Sequence, residues 1–181
     1  MLPTAAVVAA RTGHDPTREG SGNPGATNVY RTAGRRAGAL VLVGDLLKGA
    51  AAGGLGWAAG DHTLGVVCGA AAVAGHIFPV IRGFRGGKGV ATSGGVTLVL
   101  FPLVGVGAAL AWAVLARLTR RASVASLVLA VGIPAAAALT GAPAVEAILL
   151  AAMGLVVLAR HAGNIERLVK GTERAVEAGR P

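Results

Sequence analysis

Glycine, hydroxyl, amide and cationic residues gather in three short polar segments of this 181-residue chain, and each combination suits an anion. The first runs from Glu19 to Arg31, where Ser21 and Thr27 offer hydroxyls, Asn28 an amide and Arg31 a forked guanidinium. Its glycines let successive backbone N–H groups curl into an anion-binding concavity, although the GN, NP and PG pairs fit a plain turn-rich loop equally well. The second joins Gly75-His76-Ile77-Phe78-Pro79 to Phe84-Arg85-Gly86-Gly87-Lys88-Gly89-Val90-Ala91-Thr92. It departs from a nucleotide-hydrolysing phosphate loop, because Arg82 replaces the first glycine and Gly89 stands where Ser or Thr should follow Lys88. A Gly-rich turn entering a short helix still offers free N–H groups and a favourable dipole to phosphate, with a basic membrane-surface loop as the alternative. His76 on its own reads first as a packed or capping histidine.

The third segment reads Arg160-His161-Ala162-Gly163-Asn164-Ile165-Glu166-Arg167-Leu168. If it is helical, His161 and Asn164 share a face and aim hydrogen-bonding groups at one place; a solvated helix end is the alternative. Glu166, Glu173 and Glu177 lie beside arginines, fit that solvated face, and are assigned no chemistry.

These segments punctuate a chain that is 54% hydrophobic and 14% charged, with a mean hydropathy of +0.66. Such values predict a membrane-embedded protein, and its 29 glycines predict helices packed closely through small residues. Apolar stretches near the span length of about 20 residues run from Ala37 to Ala59, Thr63 to Ile81, Ala122 to Thr140 and Pro143 to Ala159. Met1 to Ala10 resembles the end of a truncated first helix, without the basic start or cleavage site of a signal peptide. Cys68 is a small buried apolar residue in this reading. Asp45 and Lys48 share a helix face within a span, as a structural pair or as lining of a site.

Lysine and arginine sort the connections. Arg11 to Arg36, Arg82 to Lys88, Arg117 to Arg121 and Arg160 to Arg180 form basic clusters, whereas the turns near Asp61 and Gly141 contain neither residue. The positive-inside rule therefore puts the clusters in the cytoplasm and the two turns outside. With Lys88 and Arg117 on one side, the chain between Gly89 and Ala116 must enter and return, yet it is too short for two full spans. Short or re-entrant helices meeting near Phe101-Pro102 are expected, packed through Gly94, Gly95, Gly105 and Gly107. Incomplete helices at membrane depth must be buried in protein or line a wet cavity, so a polar site is expected beside Lys88.

The same sidedness brings all three polar segments to the cytoplasmic face. They contain no carboxylate and histidine cluster suited to a metal, so the expected ligand is phosphorylated and bound without a protein metal site. A net charge of +9 with 3% aromatics supplies no base-stacking platform, and no nucleic-acid partner is expected.

The motifs GSGNPGATNVYR, GHIFP with FRGGKGVAT, and RHAGNIERL, in that order, resemble those of the bacterial acyl-phosphate:glycerol-3-phosphate acyltransferases, the PlsY family. The resemblance covers nearly the whole chain and implies a single integral membrane domain over 1–181. It implies an all-α, polytopic seven-helix bundle in a bacterial plasma membrane, with a cytoplasmic site and no cofactor. The implied reaction moves a fatty acyl group from acyl-phosphate to the 1-hydroxyl of glycerol-3-phosphate, giving lysophosphatidate and phosphate for phospholipid synthesis, with membrane lipid as the surroundings.

Carried onto this chain, the resemblance implies Lys88, His161 and Asn164 as catalytic residues. Ser21, Thr27, Asn28, Arg31, Gly86, Gly87, Gly89 and Ser126 are the implied substrate contacts, with Ser123 a near competitor of Ser126. The incomplete first helix and Arg85, where many relatives carry lysine, depart from the pattern. A substrate phosphate is favoured as the proton acceptor, with His161 orienting; His161 as general base is the rival. From the residues alone, the competing classes are a transporter for a phosphorylated solute and a transferase acting on a polyprenyl phosphate.

Overall fold

The computed structural model describes residues 4–176, which places Glu177 and Arg180 outside the described residues. The described chain forms eight α-helices: α1 (Thr4–Thr12), α2 (Ala26–Ala59), α3 (His62–Ile77), α4 (Val90–Leu100), α5 (Pro102–Thr119), α6 (Ala122–Leu139), α7 (Ala144–Arg160) and α8 (Ala162–Val169). A 3-10 turn, Val80–Arg82, follows α3. Leucines such as Leu40, Leu55, Leu103 and Leu139 point outward, as expected of a bundle whose outer solvent is lipid rather than water. The buried core lies between α3, α4, α6 and α7, around Val66, Val73, Val96, Leu150 and Met153.

The stretch between Gly89 and Ala116 breaks at Phe101-Pro102, as the parity of the basic clusters requires. Its two arms are unequal. α4 has 11 residues and α5 has 18, which at 1.5 Å per residue is about 16 Å against about 27 Å. Proline opens α5 because its missing N–H is unneeded in a first turn. His62 at the start of α3 reaches the Leu100 carbonyl at the end of α4 through Nε2, at 2.8 Å. Gly49 of α2 lies beside Thr92 and Val96 of α4, and Gly53 beside Leu100, so α4 begins level with the middle of α2 and its near end is recessed from the start of that helix. The loop before it dips into the bundle.

His62 also meets the buried Glu146 carboxylate of α7 through Nδ1, at 2.9 Å, and Thr63 donates to the same group at 2.9 Å. Nδ1 shares a hydrogen bond with the Glu146 carboxyl group while Nε2 meets the Leu100 carbonyl. This polar junction ties α3, α4 and α7 together at the end opposite the recessed loop.

Helix α2 starts well before the apolar stretch that announced it. It bends at Gly34, whose φ of 86° and ψ of 178° belong to a region that essentially only glycine enters. Across the bend, Gly38 lies against Tyr30, and a Cβ there would come within 2.7 Å of the Tyr30 Cα. The early start makes Thr27, Asn28 and Arg31 helical, rather than members of a loop as the turn signals suggested.

Helices α2 and α4 approach backbone to backbone. A Cβ at Gly49 would sit 2.0 Å from the Thr92 carbonyl oxygen, and one at Gly95 would sit 1.9 Å from that of Leu46. Gly105 fits against Leu98 in the same way, whereas Gly107 has nothing within 4 Å and takes no part in the expected close packing. Gly95→Ala is therefore expected to cost about 3 kcal/mol or more by overpacking against backbone, and Gly107→Ala to leave stability unchanged. Thermal unfolding of both variants in detergent checks the contrast.

Candidate active site

The recessed loop opens onto a cavity of about 660 Å³ that extends down between the helices. Its mouth is polar and carries Arg31, Lys88, His161, Asn164, Arg167 and Glu173. Deeper walls are apolar, with Leu98 from α4, Ala109 from α5, Ile133 from α6 and Met153 from α7. One volume therefore offers cations at one end and hydrocarbon at the other.

Lys88 is placed by its glycines. The Gly86 and Gly87 N–H groups donate back to the carbonyls of Ile77 and His76, at 3.2 and 3.3 Å. Arg160 holds the Gly86 carbonyl at 3.3 Å, and Gly89 turns into α4 with a φ of 86°. Gly86 and Gly87 thus fold the loop with their N–H groups, and of the three loop glycines implied as substrate contacts Gly89 is the one that lines the cavity. The first N–H groups of α4 stand at the cavity, since Gly89, Val90 and Ala91 line it. The Lys88 ammonium donates to the Asn164 side-chain oxygen.

Asn164 and His161 come from the 57° bend between α7 and α8. Both are buried. His161 Nδ1 donates to the Val157 carbonyl at 2.8 Å, so in the neutral ring Nε2 carries the lone pair. Asn164 donates to Glu173 at 2.6 Å, and that carboxylate also accepts from Ser123 at 2.8 Å and Arg167 at 2.8 Å. Burial raises the Glu173 pKa, but the hydrogen bonds from Asn164, Ser123 and Arg167 outweigh it and leave the group below the ordinary carboxylate value. Glu173, expected on a solvated face, instead has a side chain only 3% exposed and anchors the Asn164 side of the site. The signal available in sequence was its place a few residues beyond the third motif, too little to separate it from Glu166, which pairs with Lys170 at the surface.

Arg31 reaches the mouth from the first turns of α2 and donates to the Ala175 and Arg174 carbonyls, at 2.9 and 3.1 Å. Ser126 accepts from Trp112 Nε1 at 3.1 Å and donates to the Ala122 carbonyl at 2.8 Å, one helical turn below Ser123. Both serines line the cavity, but Ser123 is the one wired to Glu173. Thr27 also lines it. Asn28 is spent on the preceding loop: it accepts from the Ser21 N–H at 2.8 Å and donates to the Pro16 and Glu19 carbonyls at 2.9 and 3.0 Å. It therefore acts as a loop staple that places Ser21 at the rim, and it also lines the cavity.

The arrangement is that of a membrane-embedded helical bundle with one large cavity, cationic at its mouth and apolar in its depth. The chain matches the family described as Glycerol-3-phosphate acyltransferase over residues 1–171. The Glycerol-3-phosphate acyltransferase of Rubrobacter xylanophilus is 44% identical over 177 residues, covering 96% of this chain and 87% of that one. The enzyme of the same name from Syntrophotalea carbinolica is 43% identical over 182 residues, covering 98% and 92%. The crystal structure of PlsY (YgiH), an integral membrane glycerol 3-phosphate acyltransferase, in its glycerol 3-phosphate form superposes with a TM-score of 0.91 at 34% identity, covering 96% of this chain and 88% of that one. Its lysophosphatidic acid form gives 0.89. The chain belongs to the PlsY-type glycerol-3-phosphate acyltransferase family. Membership decides for a transferase over the carrier that the short helices also suggested.

Burial lowers the Lys88 pKa from 10.5 to about 8; Glu173 opposes this, while Arg167, Arg31 and Arg160 add to it. The protonated amine is the form that attracts phosphate. Activity at subsaturating substrate is therefore expected to fall as pH rises through about 8, tenfold per unit above it. Lys88→Arg should lose that alkaline limb, because a guanidinium does not titrate there. Profiles of kcat/KM against pH for both proteins check this.

Proposed function

We propose that the protein, acting as one membrane domain, transfers a fatty acyl group from acyl-phosphate to the 1-hydroxyl of glycerol-3-phosphate, releasing lysophosphatidate and inorganic phosphate. The observation that carries this reading is the single cavity whose cationic mouth continues into an apolar shaft. A phosphorylated acyl donor has the same division of character. Lys88, His161 and Asn164 form the reacting end, with Arg31, Ser21, Thr27 and the start of α4 at Gly89 receiving phosphate oxygens, and Ser123 and Ser126 flanking the shaft. The apolar shaft supports a donor that leaves its chain in the membrane.

Acyl-phosphate is already activated. Attack by the glycerol-3-phosphate hydroxyl on the acyl carbon forms the ester bond and breaks the bond to the phosphate oxygen, so no acyl-enzyme is required. The main barrier is bringing two anions together, and buried cations with preset N–H groups offset that repulsion without reorganising. The hydroxyl proton passes to a phosphate oxygen of the substrate. A histidine base would become an imidazolium, and the Nδ1 partner here is the Val157 carbonyl rather than a carboxylate that would stabilise that charge. His161 thus orients the hydroxyl through Nε2.

The basic clusters support a site on the cytoplasmic face of a bacterial plasma membrane. Phosphate release from the purified protein is expected only when acyl-phosphate and glycerol-3-phosphate are both supplied. Acyl thioesters releasing product at the same rate would overturn the donor. Lys88→Ala should lose at least about 100-fold in turnover while keeping its elution volume in detergent. His161→Gln should lower kcat without moving the acid limb of the profile; a displaced acid limb would make His161 the base.

A further inference from the structure

Behind the Lys88 loop lies a second group of charges that the acyl-transfer chemistry does not use. Asp45 of α2 is 2% exposed, deep in a helix surrounded by apolar residues. It accepts from the Thr4 hydroxyl of α1 and from Lys48 Nζ at 2.7 Å, and Lys48 also donates to Thr4 Oγ1 at 2.7 Å. His76 Nδ1 of α3 stands 3.8 Å from the same carboxylate oxygen. Three helices therefore converge on one carboxylate. Burying such a cluster rarely gains stability over apolar packing, so its retention calls for another reason.

His76 connects this cluster to the site. Its carbonyl accepts from the Gly87 N–H at 3.3 Å. Its ring covers the other side of Gly87 so closely that a Cβ there would lie 2.1 Å from Nε2. Gly87 is thus gripped by both backbone and ring of one residue, immediately before Lys88. Asp45 and His76 line a small pocket of about 40 Å³ with Arg82 and Arg85, and they also line the large cavity. The imidazole forms the partition between the two.

We propose that Asp45, Lys48 and His76 are positioning residues: they hold the ring that fixes Gly87, and so set the depth at which Lys88 meets phosphate. Asp45 stands against the edge of the His76 ring at 3.8 Å and limits its movement, Lys48 and Thr4 hold Asp45, and the loop takes its level from the ring. The kinetic consequence rests on the reading of Lys88 as a phosphate contact. The geometry of the loop does not.

Two charge-matched perturbations test the proposal. Asp45→Leu with Lys48→Met removes the pair together and leaves no unpaired buried charge, while His76→Gln keeps a polar side chain without the ring. Both proteins are expected to keep native elution in detergent. Both should lose about 10- to 100-fold in kcat/KM for phosphate release, the scale of a 1 Å misplacement. The second readout needs no substrate: amine-directed labelling of Lys88 across pH, quantified by mass spectrometry of its peptide. Its midpoint should rise from about 8 toward 10.5 as the loop loosens and the amine hydrates in the company of Glu173, Arg167, Arg31 and Arg160. Folded variants with an unchanged labelling midpoint would sink the proposal, and so would loss of native elution in both, which would make the cluster a folding element. A shifted midpoint in a protein that releases no phosphate from acyl-phosphate would retain the positioning role and overturn the donor instead.

Discussion

An 11-residue helix cannot cross a bilayer, and α4 is such a helix at the centre of the bundle. Gly49 and Gly53 of α2 lie beside Thr92 and Leu100 of α4, so α4 begins well below the start of α2, and Lys88 sits at that recessed end. The missing turns become the mouth of the cavity. Charged groups can then lie below the level of the surrounding helix ends without touching lipid, because longer neighbours surround them. A substrate with a charged head and an apolar chain is met by matching surroundings over its length.

Recession also determines the character of Lys88. A desolvated amine is held near its point of titration, and its partners are an amide and, one step further, a carboxylate already engaged by Ser123 and Arg167. Glu173 therefore tempers the positive field without capturing the ammonium directly. A carboxylate bonded to Lys88 itself would compete with phosphate; placed behind Asn164, it orients the amide and leaves the cation available. The same economy governs the loop, where Gly86 and Gly87 spend their N–H groups on α3 and the unspent donors belong to the first turn of α4.

Architecture was legible in the sequence because it follows from solvent. Apolar runs near the span length, basic clusters on alternate connections and a proline at the break determine the crossings, including the short entry at α4. The early start of α2 was hidden, since glycine and asparagine punctuation normally marks a loop, whereas here Gly34 is a bend within a helix. Site residues were legible by type and less so by task. Lys88, Arg31, His161 and Asn164 gather at one mouth, but the part that Asn28 and Gly86 play in holding their loops was hidden, because it depends on hydrogen bonds to backbone carbonyls that spacing does not reveal. Glu173 was invisible for the opposite reason: its partners Ser123 and Asn164 are distant or separated by a helix end, and no periodicity links them.

Close packing explains how such a site stays in register without large side chains. Gly49 and Gly95 bring the α2 and α4 backbones into contact, so the two helices cannot slide by a fraction of a turn without collision. Asp45 and Lys48 lie on α2 within one turn of Gly49, and Lys88 lies two residues before α4 begins. A rigid α2–α4 seam therefore carries the buried charge cluster on one side and the Lys88 loop at its end. The ring of His76 fills the gap between them, so the loop is gauged against the most tightly fitted part of the bundle. Loops set against a flexible surface could not place an ammonium within the fraction of an ångström that phosphate recognition requires.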